Sequence, residues 1–188
     1  MATIKKIMML VFFVMVLASP FTKAHAQKMY IWCPNELTAS PRSQLRDVEI
    51  NLLINDTRIL TSKIKDKCTP EELTNSLFEL IKGTYPSAII NRSVDGKKKN
   101  EAGKIFIEID IAAYYATFTS SMWSAQTNYL VKIADSREGS KAEYSREIQK
   151  EKRFFNVGGF ATAKNNLNKS YLEANIELFD FISDKLIK

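Results

Sequence analysis

The chain has 188 residues, 27 Lys and Arg against 21 Asp and Glu, and a single histidine. That length suits one domain with a real core. The lone His25 stands close to the N-terminus, so catalysis built on a histidine base, and zinc sites with a histidine ligand, are excluded from the rest of the chain.

Lys5 and Lys6 open a positive start, residues 7–18 are apolar, and Ala24-His25-Ala26 follows Pro20. That order predicts a cleavable secretory signal over 1–26. Its apolar run of 12 residues is short of the roughly 20 needed to span a bilayer. The processed chain is therefore expected not to span a membrane and to be exported, periplasmic or extracellular, in a bacterium. Lys5, Lys6 and Lys23 leave with the signal, so 24 basic side chains remain against 21 acidic ones, a balance ordinary for a soluble domain. The run Lys97-Lys98-Lys99 beside Gly96 and Asn100 reads as a solvated hairpin tip. Nucleic acid is not an expected partner, because no aromatic-basic platform is present.

Residues 27–46 carry Pro34, Pro41 and scattered Ser, Thr and Asn, which predicts an irregular N-terminal arm ahead of a single domain over 47–188. Cys33 and Cys68 are the only cysteines. In an exported chain they are expected to form one disulfide. No C-x-x-C pair suggests thiol exchange.

A strand is predicted over 47–55, where Val48, Ile50, Leu52 and Ile54 alternate. Thr69-Pro70-Glu71-Glu72 starts a helix: Thr69 caps, Pro70 is preset for the first turn, and Glu72 completes a capping box. Leu73, Leu77, Leu80 and Ile81 share its apolar face, and Gly83 ends it. A short strand follows over 87–91. The longest strand is 104–118, with Ile105, Ile107, Ile109, Ile111, Ala113 and Tyr115 on one face. On its other face Glu108 and Asp110 offer two carboxylates, the only support for a carboxylate-dependent hydrolase. The plainer reading is a solvent-facing strand side with cross-strand Lys or Arg partners. Residues 125–135 and 142–149 form a predicted antiparallel hairpin.

From Phe160 the period becomes helical. Phe160, Ala163, Leu167, Tyr171, Ala174 and Leu178 trace a stripe that Leu172, Ile176, Phe179, Ile182 and Leu186 widen. A stripe that broad predicts a long helix packed across a sheet. Its polar face mixes Asn, Glu and Asp with Lys, unlike a membrane-lying helix. The fold class is α+β: a mainly antiparallel sheet with two helices packed on one face, in the order β-α-β-β-β-β-α.

The strand running into Asp56-Thr57-Arg58, the helix over 70–82, the long strand, the hairpin and the C-terminal helix together resemble the YajG-like lipoproteins and transport-auxiliary proteins of the bacterial envelope. The resemblance covers about 140 residues and rests on layout plus this D-x-R element. Those families carry a lipid on a cysteine at the cleavage point, and this chain has none there. The resemblance implies a non-enzymatic envelope accessory protein that binds an envelope protein or lipid component. No catalytic, cofactor-binding or metal-ligating residues are assigned. Tyr114, Phe118 and Trp123 are candidates for the interface, with core packing as their other reading. The alternative function is a small-molecule or lipid carrier with a pocket between helix and sheet.

Overall fold

A computed structural model of the chain describes residues 28–35, 39–42, 45–59, 64–95, 102–119, 121–137 and 141–187. The predicted signal segment, Lys97-Lys98-Lys99 and the turn at 138–140 lie outside the described residues. Seven strands form one sheet: β1 Met29–Trp32, β2 Glu49–Asp56, β3 Ile64–Lys67, β4 Ile89–Arg92, β5 Ile105–Thr119, β6 Met122–Asp135 and β7 Ala142–Phe155. Among the described residues two helices join them, α1 Pro70–Thr84 and α2 Gly159–Leu186. Among the described residues no helix is long and apolar enough to cross a membrane.

The fold is α+β, and the sheet is mixed rather than mainly antiparallel. β5 is its axis. Along one edge β6 pairs antiparallel with all of β5, from Ile105↔Asp135 to Thr119↔Met122. The other edge is shared by two strands. β2 runs parallel to its first half, Ile50↔Ile105 through Asp56↔Ile111, and β1 runs antiparallel to its second half at Tyr30↔Ala116 and Met29↔Thr117. β4 lies parallel outside β2, β3 parallel outside β1, and β7 antiparallel outside β6. β4 is parallel to β2 because α1 carries the chain back across the sheet before β4 begins, as a crossover must.

The order is therefore β-β-β-α-β-β-β-β-α, with β1 and β3 added to the predicted one. Both have four residues, too few to show a period. β1 also places a strand inside the expected irregular arm. Two other described residues of that arm are fastened as well: Asn35 N donates to Asn168 Oδ1, and Arg42 donates to Asp180 and Ser183 on α2.

The expected start of α1 is present. Thr69 Oγ1 accepts from Glu72 N at 3.2 Å, and Glu72 Oε2 accepts from Thr69 N at 2.7 Å. Those bonds hold the Glu72 carboxyl below the usual range, the backbone bond contributing most. Leu73, Leu77 and Ile81 are buried in one core with Ala163, Leu167, Leu178 and Ile182 of α2 and with Ile50, Leu52, Ile107, Ile109, Val131 and Ile133 of the sheet. Both helices thus share a face, as expected.

The buried arc of α2 differs from the predicted stripe. Leu172 and Ile176 are 44% and 49% exposed, while Phe179 and Ile182 are buried. In their place the helix turns Ser170 and Asn175 to the sheet. The Ser170 and Thr127 hydroxyls are 2.9 Å apart, and Tyr129 OH donates to Asn175 Oδ1 at 3.2 Å. Polar groups can be buried there because the sheet offers them partners.

Candidate functional site: the aromatic end of the sheet

The Cys33–Cys68 disulfide is formed, with Cα atoms 4.6 Å apart. Sheet register explains it. Parallel pairing sets Trp32 opposite Lys67, so the next residue of each strand comes side by side within bridging distance. Glu72 lies within reach of both sulfurs. The sulfurs are bonded to each other, and that carboxylate is spent on the α1 cap, so the trio is not a metal centre.

Glu108 and Asp110 lie on the face of the sheet away from the helices. Lys132 on β6 reaches Glu108 at 3.2 Å and Asp110 at 3.9 Å, and Asn55 Nδ2 donates to Asp110 Oδ1 at 2.8 Å. The hydrogen bond to Glu108 raises the Lys132 pKa. This is the cross-strand pairing of an ordinary polar sheet face.

Tyr114, Phe118 and Trp123 do not form one exposed face. The cause is an irregularity in β5 between Ile111 and Ala113, where the register with β6 shifts by one residue. A one-residue shift exchanges the faces of a strand. Beyond it Tyr114, Ala116 and Phe118 point to the helices, and Tyr115 points away to bond Gln126. Tyr114 is completely buried, edge-on to the Tyr171 ring at 5.4 Å, with its hydroxyl donated to the Trp32 carbonyl. Burial pushes that hydroxyl far above its ordinary pKa. Tyr114 is a core residue. Trp123 is 4% exposed and donates Nε1 to Asn156 Oδ1, while Phe118 is half-buried against it.

Phe118 and Trp123 belong instead to a ring cluster at the end of the sheet where α2 starts. Tyr30 stands 5.3 Å from Trp123 and 5.1 Å from Phe160. Trp32 stacks beside Tyr30 at 6.1 Å and meets Phe160 at 6.2 Å. Phe160 closes on Trp123 at 5.7 Å. These tilted and edge-on contacts lie in the range where aromatic pairs attract. The Gly158-Gly159 turn brings Phe160 there. Both residues have positive φ, 113° and 58°, a conformation that costs a glycine nothing, and the chain leaving β7 enters α2 with Phe160 over the cluster. Tyr30, Trp32 and Phe160, with Lys67, bound an open notch of about 240 Å³.

Here the apolar interior runs out to the surface. Phe160 is 55% exposed, Phe155 68%, Val157 80% and Met122 37%. Met122 and Phe155 are cross-strand partners, as are Trp123 and Phe154. Successive strand residues point to opposite faces, so the end of the sheet is apolar on both sides. Its surroundings are basic. Lys67 edges the notch, Lys28 precedes β1, Lys164 follows Phe160 by one helical turn, and Lys152 and Arg153 precede Phe154. Glu173 pairs with Lys152 and Glu151 with Arg153. Lys28, Lys67 and Lys164 have no ion pair among the described residues.

The rings can hold an apolar surface and the lysines an anion. Sequence reading missed Tyr30, Trp32, Phe155 and Phe160 as members of one site. The visible signal was the pair Phe154-Phe155 running into Gly158-Gly159, a turn flanked by rings.

No family model matches the chain, and no curated protein matches it. Solved structures similar to it include the following three. An uncharacterized protein is 8% identical with a TM-score of 0.44, covering 78% of this chain and 100% of that one. A putative neuraminyllactose-binding hemagglutinin homolog from Helicobacter pylori is 10% identical with a TM-score of 0.43, covering 80% and 95%. Lipoprotein GNA1162 from Neisseria meningitidis is 10% identical with a TM-score of 0.38, covering 71% and 98%.

Proposed function

We propose that the protein is a non-enzymatic, exported accessory protein of the bacterial envelope, and that it binds another envelope component through the aromatic end of its sheet. The observation that carries this reading is the exposure of Phe155, Val157, Phe160 and Met122 around a ring cluster. An apolar patch with a basic edge marks a binding surface. The disulfide supports an oxidising compartment. The interior between helices and sheet is filled by Leu, Ile and Tyr side chains, which favours this end of the molecule over a carrier's interior pocket.

A photo-crosslinking residue placed at Phe155 or Val157 in producing cells tests the reading. Adducts with an envelope component are expected from both sites. None is expected from Leu130, which is 40% exposed on the far sheet face. Adducts from Leu130 alone, or from no site, would overturn it.

A further inference from the structure

We infer that the component bound is an anionic lipid surface, entered by the tip formed where β6 starts beside the end of β7 and α2 begins. This inference rests on the aromatic end being the binding surface and names its partner. Three observations select lipid. The first is shape. Met122 and Phe155 stand on one face of the sheet end and Phe160 on the other, with Val157 in the turn between. Apolar groups projecting from both sides of an edge suit insertion into a soft medium. A protein partner of ordinary affinity needs a broad complementary patch of about 800 Å².

The second is layering. Behind the exposed aliphatic and phenyl groups come Tyr30 and Trp32, both partly exposed, the residue types that settle at headgroup level. Around them Lys28, Lys67 and Lys164 carry charge with no partner among the described residues. Basic side chains beside a bilayer are attracted to acidic headgroups over about a Debye length. The same rim disfavours a second copy as occupant, because two tips meeting would oppose like charges. The third is the path of the chain. β1 starts at this end, with Met29 opposite Thr117 near the tip of β5. The polypeptide therefore enters the fold on the side that would face the bilayer. Hydrophobic insertion and electrostatic attraction together give a reversible, peripheral attachment.

Vesicle co-sedimentation of the exported full-length protein tests this. Vesicles of phosphatidylcholine alone are compared with vesicles also containing phosphatidylglycerol, at low and high salt. Binding to the anionic vesicles is expected, with little to the neutral ones and a marked loss at high salt. Phe155→Ser with Val157→Ser should weaken it about tenfold or more. Lys67→Glu with Lys164→Glu should abolish the preference for anionic lipid, and Leu130→Ser should change nothing. Circular dichroism of each variant confirms that it is folded. All substituted side chains except Lys164 are exposed, and that one is partly so. Equal binding to both vesicle types, or binding unchanged in the Phe155/Val157 variant, would overturn the inference. If vesicles are not bound while crosslinks from Phe155 yield a protein adduct, the partner is a protein; the lipid inference falls and the binding surface stands. If neither vesicles nor crosslinks respond, the binding surface itself is wrong.

Discussion

Arg58 clasps Asp56, two residues before it, through two parallel bonds: Nη2 donates to Oδ2 at 2.6 Å and Nε to Oδ1 at 2.8 Å. Both side chains are almost wholly buried. The pair sits where β5 changes neighbours, after β2 stops pairing at Ile111 and before β1 starts at Ala116. In that gap Arg58 Nη1 approaches the Tyr114 carbonyl at 3.5 Å, and Thr57 N donates to the Ile111 carbonyl. The D-x-R element thus supplies donors to a stretch of β5 edge that has no strand beside it among the described residues.

Arg58→Met should leave the Asp56 carboxylate buried without its cation and lower unfolding free energy by about 3–5 kcal/mol. Asp56→Leu combined with Arg58→Met should recover most of that loss. Urea unfolding of the single and double variants checks it. A single variant within about 1 kcal/mol of the parent would show that the pair is dispensable.

The disulfide closes a loop between positions 35 residues apart, for which loop entropy gives about 3–4 kcal/mol. Cys33→Ser and Cys68→Ser should each lose that amount, and the double variant should lose no more than either single one. The comparison is thermal or urea unfolding under non-reducing conditions. A double variant much worse than both singles would place the stabilisation in packing of the sulfurs rather than in the bond.

On α2 the packing face is tested by a pair of substitutions. Phe179 is 8% exposed and edge-on to Tyr85 at 6.2 Å, while Ile176 is 49% exposed. Phe179→Ala should cost about 3–5 kcal/mol, and Ile176→Ala under about 1 kcal/mol. Equal costs would mean that the helix is rotated from the orientation described.

Alkali should unfold the protein early. Burial raises the hydroxyl pKa of Tyr114, Tyr129 and Tyr171, that of Tyr171 to about 12. The unfolded-state value is about 10. A raised folded pKa gives stability that is complete below the unfolded value and is lost as pH rises from there through the folded one. Urea midpoints should hold steady up to about pH 9 and then decline, with tyrosinate absorbance appearing together with loss of helix. Tyrosinate from all seven tyrosines at full helicity would refute this.

The sequence disclosed whatever is written locally. The Thr69/Glu72 capping box, the alternation from Ile105 to Ile111 and the hairpin of β6 and β7 each sit inside one segment. What it hid depends on distant partners. Nothing in Glu49–Asp56 states that β2 will lie parallel to β5, and nothing in Met29–Trp32 that four residues will find two strands. The irregularity after Ile111 leaves no residue signature, yet it moves Tyr114 into the core. Leu172 and Ile176 looked like core because the hydroxyls of Thr127 and Tyr129, which draw Ser170 and Asn175 inward, lie on another strand. The aromatic end gathers β1, β5, β6 and α2, and no window of sequence holds it.

β5 also orders events in time. Among the described residues before 104, the strands pair only as two separate parallel ladders of four residues, β1 with β3 and β2 with β4. Ladders that short are not stable in water by themselves. A chain emerging from its N-terminus therefore waits. When β5 arrives, it gives both ladders a common neighbour, and β6 can fold back on it at once through a short turn. The early strands close over long loops and the late ones over short loops, so the C-terminal half provides the template and the N-terminal half is recruited to it. Such a chain locks only once β5 and the strands after it are present.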